Sequence, residues 1–589
     1  MSFFKILWRV TPIQLKATPW HNFICVLLGI LRGVTLTFVV ISTQRLFDAI
    51  ASASVGEAGF WDCFIPLLTL AGASFLFNLY LNLYELNAIA AFEKSTGKIR
   101  AIVHRKLTRI DPVKYEETQF LDDMNKAQQG IWAVTYFVLV TFIFVAFYGT
   151  YFLTIGAYLF SLKPLLLLTL LLAFIPAMLS QIVRARVFTK LEEESAPIRR
   201  ENEYYQKTLC DREYFKETRI LGAYSFFYNL FFETLTLLTS KLWKAGRKTE
   251  LLQLLLNTVS FIGMGIASYM LFVATMTGEI TIGAFAAVFA SLSQLFAIMQ
   301  YVISNHVNGI NENIGRVVNL IRLLDMPERT GRSGISDFTK GIIARDISFT
   351  YPGRSNPAVE NVSLSIACGE TIAIVGQNGS GKSTLVRLLT GIYRPDKGKV
   401  TVGGLDTAET LPLSVYQSIS GVFQKYQQYK MTLNENVAIS ELDKGDDNVD
   451  FIRVETALKQ SDLSQDIDPE TMLSPEFGGI DLSGGQWQRL AIARGLYRQN
   501  EFIVLDEPTS AIDPIEEQLI FSQFQQLVEG KSAIIVTHRL GSAKLANRII
   551  VLEDGKIVEQ GTHDELLMHN GKYAQMWATQ AQWYIRTSN

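Results

Sequence analysis

Apolar residues in the first 325 positions gather into six runs, near 22–46, 61–86, 132–156, 162–183, 250–275 and 283–306. Each is long enough for a helix to cross a bilayer, which takes about 20 residues. Between them lie two long stretches, 87–131 and 184–249, where charged and apolar residues alternate at helical spacing. The third and fourth runs are divided only by a short segment around Ser161, Lys163 and Pro164. The pattern therefore predicts six membrane helices, with the two long stretches continuing as helical pairs outside the bilayer. An up-and-down pair of this size reaches about 30 Å, with tips near 111–123 and 212–223.

Positive charge orients these spans. Lys94, Lys98, Arg100, Arg105, Lys106 and Arg109 lie in the first long stretch, and Arg184, Arg186, Lys190, Arg199 and Arg200 in the second. The short connections 47–60, 157–162 and 276–282 carry almost none. By the positive-inside rule both long stretches and both termini face the cytosol.

Beyond residue 325 the texture changes. Residues 326–340 mix Pro, Gly, Ser and charge and read as a linker. Short β-rich runs at 341–351, 370–376, 501–506, 532–537 and 548–553 then alternate with helical stretches, which predicts an α/β domain over 341–580. Composition agrees with a chain that is half membrane and half cytosolic, with 49% apolar and only 19% charged residues. The net charge of −2 points away from nucleic acid as a partner. Cys25, Cys63, Cys210 and Cys368 are too scattered for a disulfide framework or metal-ligand spacing, and no cleavable signal peptide is expected.

The chemistry concentrates in the second half. Gly376, Gln377, Asn378, Gly379, Ser380, Gly381, Lys382 and Ser383, then Thr384, follow a predicted strand and open a predicted helix. Glycines let backbone N–H groups close around phosphate oxygens, and the helix N-terminus adds partial positive charge. Lys382 is placed to neutralise the β- and γ-phosphates of ATP, and Ser383 to ligate Mg2+. Further on, the apolar run 502–505 ends in Asp506 and Glu507. Asp506 is expected at the Mg2+ shell and Glu507 as general base for the attacking water.

Leu482, Ser483, Gly484, Gly485 and Gln486, just upstream of that strand, together with the phosphate loop, resemble the signature of the ATP-binding-cassette family. The resemblance implies further roles. Tyr351 matches the aromatic that stacks on adenine, and Gln424 the glutamine that senses the γ-phosphate and Mg2+. His538 matches the switch histidine, and the run 510–513, with Asp513, the dimer-crossing loop. In this family the signature, here Ser483 to Gln486, contacts ATP held by a partner subunit. One phosphate loop and one signature per chain thus imply a dimer. A homodimer is the first expectation and a heterodimer the alternative.

Fusion of the spans ahead of the ATPase domain is similar to the exporter arrangement. That implies a multi-pass protein of the bacterial cytoplasmic membrane, with coupling helices at 117–123 and 214–221. The stretches 196–205, 212–219 and 477–489 resemble exporters of modified, lantibiotic-type peptides. About 20 residues precede the first span, too few for a peptidase domain, so leader cleavage is expected from another protein. Polar residues recur at helical spacing within three spans: Asn78, Asn82 and Glu85; Gln253, Asn257 and Ser260; Gln294, Tyr301, Asn305 and Asn308. Polar groups are costly against lipid, so these stripes face other helices or a cargo cavity, for which Asn82, Asn257 and Gln294 are the candidates. Arg32, in the first span, either snorkels to an interface or joins them. Export of a peptide driven by ATP hydrolysis is the leading reading. Export of lipid or drug-like compounds is the alternative, and an ATP-gated channel or regulator the reading from another class.

Overall fold

The computed structural model describes residues 2–586, apart from 212, 442–448, 464–466, 499, 507–524 and 526–527. The chain forms two compact units, Met1–Leu107 with Asp122–Met326, and Thr108–Leu121 with Pro327–Asn589.

The first unit is helical. It runs through α1 (Phe3–Ala17), α2 (Pro19–Ser54), α3 (Phe60–Leu107), α4 (Thr118–Ile143), α5 (Thr150–Leu162), α6 (Pro164–Cys210), α7 (Phe215–Ile220), α8 (Tyr224–Met276), α9 (Ile282–Tyr301) and α10 (Asn308–Asp325). At 1.5 Å per residue the 48 residues of α3 and 53 of α8 reach about 70 and 80 Å, more than twice a hydrocarbon core of about 30 Å. The long charged stretches are thus continuations of the spans. Among the described residues five helices are long and apolar enough to cross a membrane. The fourth expected span lies in α6, which begins at the anticipated divider: Lys163 is extended and Pro164 is the first helical residue. Proline suits that position, because its missing N–H would have no partner there.

Close approach depends on small residues. Helix α2 crosses the π-helical segment Phe144–Gly149 at Gly29 and Gly33. A Cβ on Gly33 would sit 2.8 Å from the Phe147 carbonyl oxygen. The core around this crossing contains Leu36, Phe147, Tyr151, Ile155 and Leu271, all buried. At one end of the bundle Asp48 accepts from the Gly283 N–H at 2.9 Å and from the Thr281 hydroxyl at 3.1 Å, capping α9. Helix α1 was not expected. It buries Ile6, Val10, Gln14 and Ala17 along one stripe, and Gln14 donates to Ser95 on α3 at 2.8 Å.

The second unit carries two sheets. The first has the order β2-β1-β4-β5 and is antiparallel: β1 (Ile342–Phe349), β2 (Val359–Ile366), β4 (Lys397–Val402) and β5 (Leu405–Asp406). The second has the order β10-β9-β3-β8-β7-β6, from β3 (Thr371–Val375), β6 (Ile419–Val422), β7 (Phe502–Asp506), β8 (Ser532–Val536), β9 (Arg548–Glu553) and β10 (Lys556–Gly561). Its strands are parallel from β9 to β6, with β10 antiparallel at one edge. Strands β3 and β8 are buried at every position, which is why they read as continuous apolar runs. In such a sheet ligands gather beyond the C-terminal ends of the strands.

The segment Thr108–Leu121, between α3 and α4, belongs to this second unit. It forms a short 3-10 turn, Pro112–Glu116, and Arg109 accepts through its carbonyl from the Arg329 N–H at 2.7 Å. The turn lies ahead of the expected 117–123, which enters α4. The other expected tip coincides with α7, of which Thr218 is buried.

Candidate functional site

Four candidate segments leave the C-terminal ends of adjacent parallel strands. The phosphate loop follows β3, the switch histidine β8, Asp506 closes β7, and Gln424 follows β6. Strand order therefore gathers residues more than 160 positions apart along one edge.

The phosphate loop is shaped by glycine. Gly376, Gly379 and Gly381 have φ of 156°, 85° and 99°. A Cβ on Gly376 would collide with the Leu552 carbonyl, and one on Gly381 with that of Ala358, so both need glycine for space as well. Gly381 caps the helix Lys382–Leu389, whose first turn presents its N–H groups beyond the loop. Lys382 is buried, and its Nζ donates to the carbonyls of Gly376 at 2.9 Å and Gln377 at 3.0 Å. The ammonium is thereby folded over the loop. Ser380 is buried with its hydroxyl unpartnered, whereas Gln377, Asn378, Gly379 and Ser383 are exposed.

Tyr351 is half-buried and lies edge-on to Phe349 (5.2 Å between ring centroids, 82°). Its hydroxyl is 3.0 Å from Thr384 Oγ1, within the helix that holds the phosphate loop. Gln424 is exposed in the loop after β6, and Asp506 half-buried at the end of β7. Glu507 and the run 510–513, including Asp513, lie outside the described residues.

Ser483 is the N-cap of the helix Gly484–Tyr497 and forms a reciprocal capping box with Gln486. The Ser483 N–H donates to Gln486 Oε1 at 2.9 Å, and Ser483 Oγ accepts from the Gln486 N–H. Gly484 and Gly485 are exposed, with open space where a side chain would stand. Behind the cap Trp487 and Leu490 are buried. The helix terminus is thus rigid and presents a bare backbone surface to whatever approaches it.

One contributor was missed from sequence. The Gln580 side chain, on the helix Lys572–Arg586, donates to the His538 carbonyl and accepts from the Leu540 N–H at 2.9 Å. A single amide thereby bonds the backbone on both sides of Arg539, in the loop that carries His538. No motif marks it, because a lone glutamine 40 residues downstream carries no local signal.

In the first unit the cargo candidates lie on three helices, α3, α8 and α9. Asn257 lines a cleft of about 780 Å³ along α8 with Trp243, Glu250 and Gln253. Asn82 and Gln294 are exposed on α3 and α9. Arg32 packs its guanidinium 4.1 Å from the Phe147 ring centroid and 5.3 Å from that of Phe77, so it lies among aromatic side chains of the bundle. Tyr148 and His306, on two π-helical segments, meet at 3.2 Å.

Comparison with known proteins places this geometry. Residues 359–510 match the family model described as ABC transporter. The chain is 28% identical over 526 residues to the subtilin transport ATP-binding protein SpaT of Bacillus subtilis, covering 86% of this chain and 84% of that protein. Its overall fold matches a bacterial Atm1-family ABC exporter solved with ATP bound, at a TM-score of 0.76 and 22% identity over 98% of this chain and 100% of that one. Residues 359–510 are an ABC transporter domain. The chain carries membrane helices and this ATPase domain on one polypeptide, as a multi-pass membrane protein with a cytosolic ATPase. ATP-dependent lipid A-core flippases are also similar: that of Escherichia coli (strain K12) is 31% identical over 330 residues, and that of Thiobacillus denitrificans 35% over 309. The chain spans only about half the length of these flippases, 55% and 52%.

Proposed function

We propose that this ABC transporter works as a homodimer that couples ATP hydrolysis to export of a modified peptide. Lys382 and the loop N–H groups would hold the phosphates, with Tyr351 on the adenine. Ser383, Gln424 and Asp506 offer hydroxyl, amide and carboxylate oxygens from three strand ends, a hard-oxygen set that suits Mg2+. Mg2+ supplies charge neutralisation on the phosphates when bound. Glu507 would polarise the attacking water, and His538 would contact the γ-phosphate. The exposed helix terminus at Ser483, Gly484, Gly485 and Gln486 supports the dimer reading. One chain holds a single phosphate loop and a single signature, so two copies are needed to enclose a nucleotide between them.

The observation that carries the peptide reading is extent of similarity. SpaT, named for subtilin transport, matches along 86% of this chain, whereas the flippases match along about half. Peptide backbone groups cost several kcal/mol each when unpaired in lipid, so such cargo needs a polar path. Asn82, Asn257 and Gln294 are the candidates for lining it. Purified protein in lipid nanodiscs tests this through ATPase stimulation by modified peptides against lipid A and cationic dyes. Peptide stimulation lost in a triple Leu variant of Asn82, Asn257 and Gln294, with basal turnover kept, supports the reading. Stimulation by lipid alone transfers the assignment to a lipid flippase, the reading favoured by the identity of 31–35% to those proteins.

A further inference from the structure

Glu116, the last residue of the turn Pro112–Glu116, reaches the nucleotide end of the ATPase unit through side chains alone. Its Oε1 accepts from the Tyr393 hydroxyl and, at 3.3 Å, from Arg387. The same Arg387 nitrogen lies 3.0 Å from the Tyr393 hydroxyl and 3.1 Å from that of Tyr351. Tyr351 in turn bonds Thr384, next to Ser383. The bonded groups come from distant parts of the sequence: Glu116 and Arg387 are 271 residues apart.

The chemistry of this node is competitive. A terminal guanidinium nitrogen carries two hydrogens, and here it faces three acceptors within 3.3 Å. Three acceptors share two donors, so withdrawal of one strengthens the bonds to the others. Tyr393 is buried and stacked on Phe349 (5.4 Å, 25°), which fixes one acceptor. Burial and the Glu116 carboxylate push the Tyr393 phenol up from its ordinary value, so it stays a donor to Glu116. The other two acceptors are Glu116 and Tyr351. An exposed Arg–Glu pair contributes little to stability by itself, so stability alone does not account for a shared donor between these two groups.

We propose that Arg387 is a positioning residue that ties the orientation of Tyr351 to the segment Thr108–Leu121 through Glu116. Movement of α3 and α4 would then alter adenine binding, and adenine binding would bias those helices. Coupling of this kind is reciprocal by linkage. It enters at the adenine end of the nucleotide, away from the γ-phosphate. The proposal rests on the reading of Tyr351 as the adenine platform.

The test uses the full-length protein in nanodiscs and compares ATP with tripolyphosphate, which has no base. In Arg387→Met the apparent KM for ATP rises about three- to tenfold, the range one hydrogen bond spans. Maximal turnover stays within twofold and inhibition by tripolyphosphate is unchanged. Glu116→Ala shifts the ATP KM in measurable degree, while Glu116→Gln, which keeps an acceptor, shifts it less. With the exposed Cys210 and Cys368 changed to Ser, Glu117→Cys reports the segment: ATP changes its rate of maleimide labelling, and Arg387→Met abolishes that change. Tyr351→Ala is the reference. If it leaves ATP affinity unchanged, the adenine reading fails. If it weakens ATP while Arg387→Met and Glu116→Ala do not, the relay is overturned. Equal loss of ATP and tripolyphosphate affinity reduces Arg387 to a structural role and also overturns it. Should Arg387→Met not fold, Glu116→Ala and the labelling assay in that background decide between the same outcomes.

Discussion

Gln580→Ala removes two of the hydrogen bonds that hold the loop carrying His538. The amide donates to the His538 carbonyl and accepts from the Leu540 N–H at 2.9 Å. Each hydrogen bond contributes about 1 kcal/mol net, so about 2 kcal/mol is lost, equivalent to about thirtyfold in the balance between held and released loop. The loop keeps other ties, since Ser542 Oγ donates to the Arg539 carbonyl at 2.7 Å and to Thr537 Oγ1 at 2.9 Å. The expected fall in kcat for ATP hydrolysis is therefore about three- to thirtyfold. KM for ATP should stay within twofold, because the Gln580 bonds are to the backbone of His538 and Leu540 and not to the phosphate loop. Gln580→Glu sharpens the test: it can still accept from Leu540, but at neutral pH it cannot donate to His538 and sets a carboxylate against a carbonyl oxygen. Its kcat should fall at least as far as that of the Ala variant. The assay is steady-state phosphate release by the reconstituted protein, with thermal unfolding as a fold control. A normal kcat in both variants would refute the reasoning.

Three further outcomes are expected. Glu507→Gln should retain ATP binding and lower hydrolysis by orders of magnitude, seen as nucleotide trapped in a closed dimer; near-normal turnover removes it as general base. Tyr351→Ala should weaken ATP binding by about 1–3 kcal/mol if base–aromatic stacking operates, measured by equilibrium nucleotide binding; an unchanged affinity counts against stacking. Gly33→Val should destabilise the membrane unit by about 1–3 kcal/mol through overpacking against the Phe147 carbonyl. Thermal unfolding in detergent reads that change, and an unshifted midpoint would show that α2 can move away.

The ATPase edge was legible in the sequence because each of its parts is local. A buried parallel strand reads as an apolar run, and the residues that leave it follow directly, as in 371–384 and 502–506. The divider at Lys163 and Pro164 was legible for the same reason, since proline states its position in a helix. Helix α1 was not, because its stripe of Ile6, Val10, Gln14 and Ala17 includes a buried glutamine whose partner, Ser95, is 81 residues away. Gln580 and the Glu116–Arg387–Tyr351 contacts were hidden on similar grounds. They join distant segments, and the individual residues are ordinary surface types. The tip between α3 and α4 falls within the expected 111–123, but the helical turn there is Pro112–Glu116 rather than the expected 117–123, because Pro112 is suited to start a helical turn.

The proposed function is ATP-driven movement of a peptide from the cytosolic side. Its most direct test is accumulation of a labelled modified peptide in inverted membrane vesicles containing the protein, with the Glu507→Gln variant as control. Uptake is expected to require hydrolysable ATP, to saturate with peptide and to be absent from the variant. Uptake of lipid or dye with no peptide movement, or peptide uptake equal in the two proteins, would contradict it.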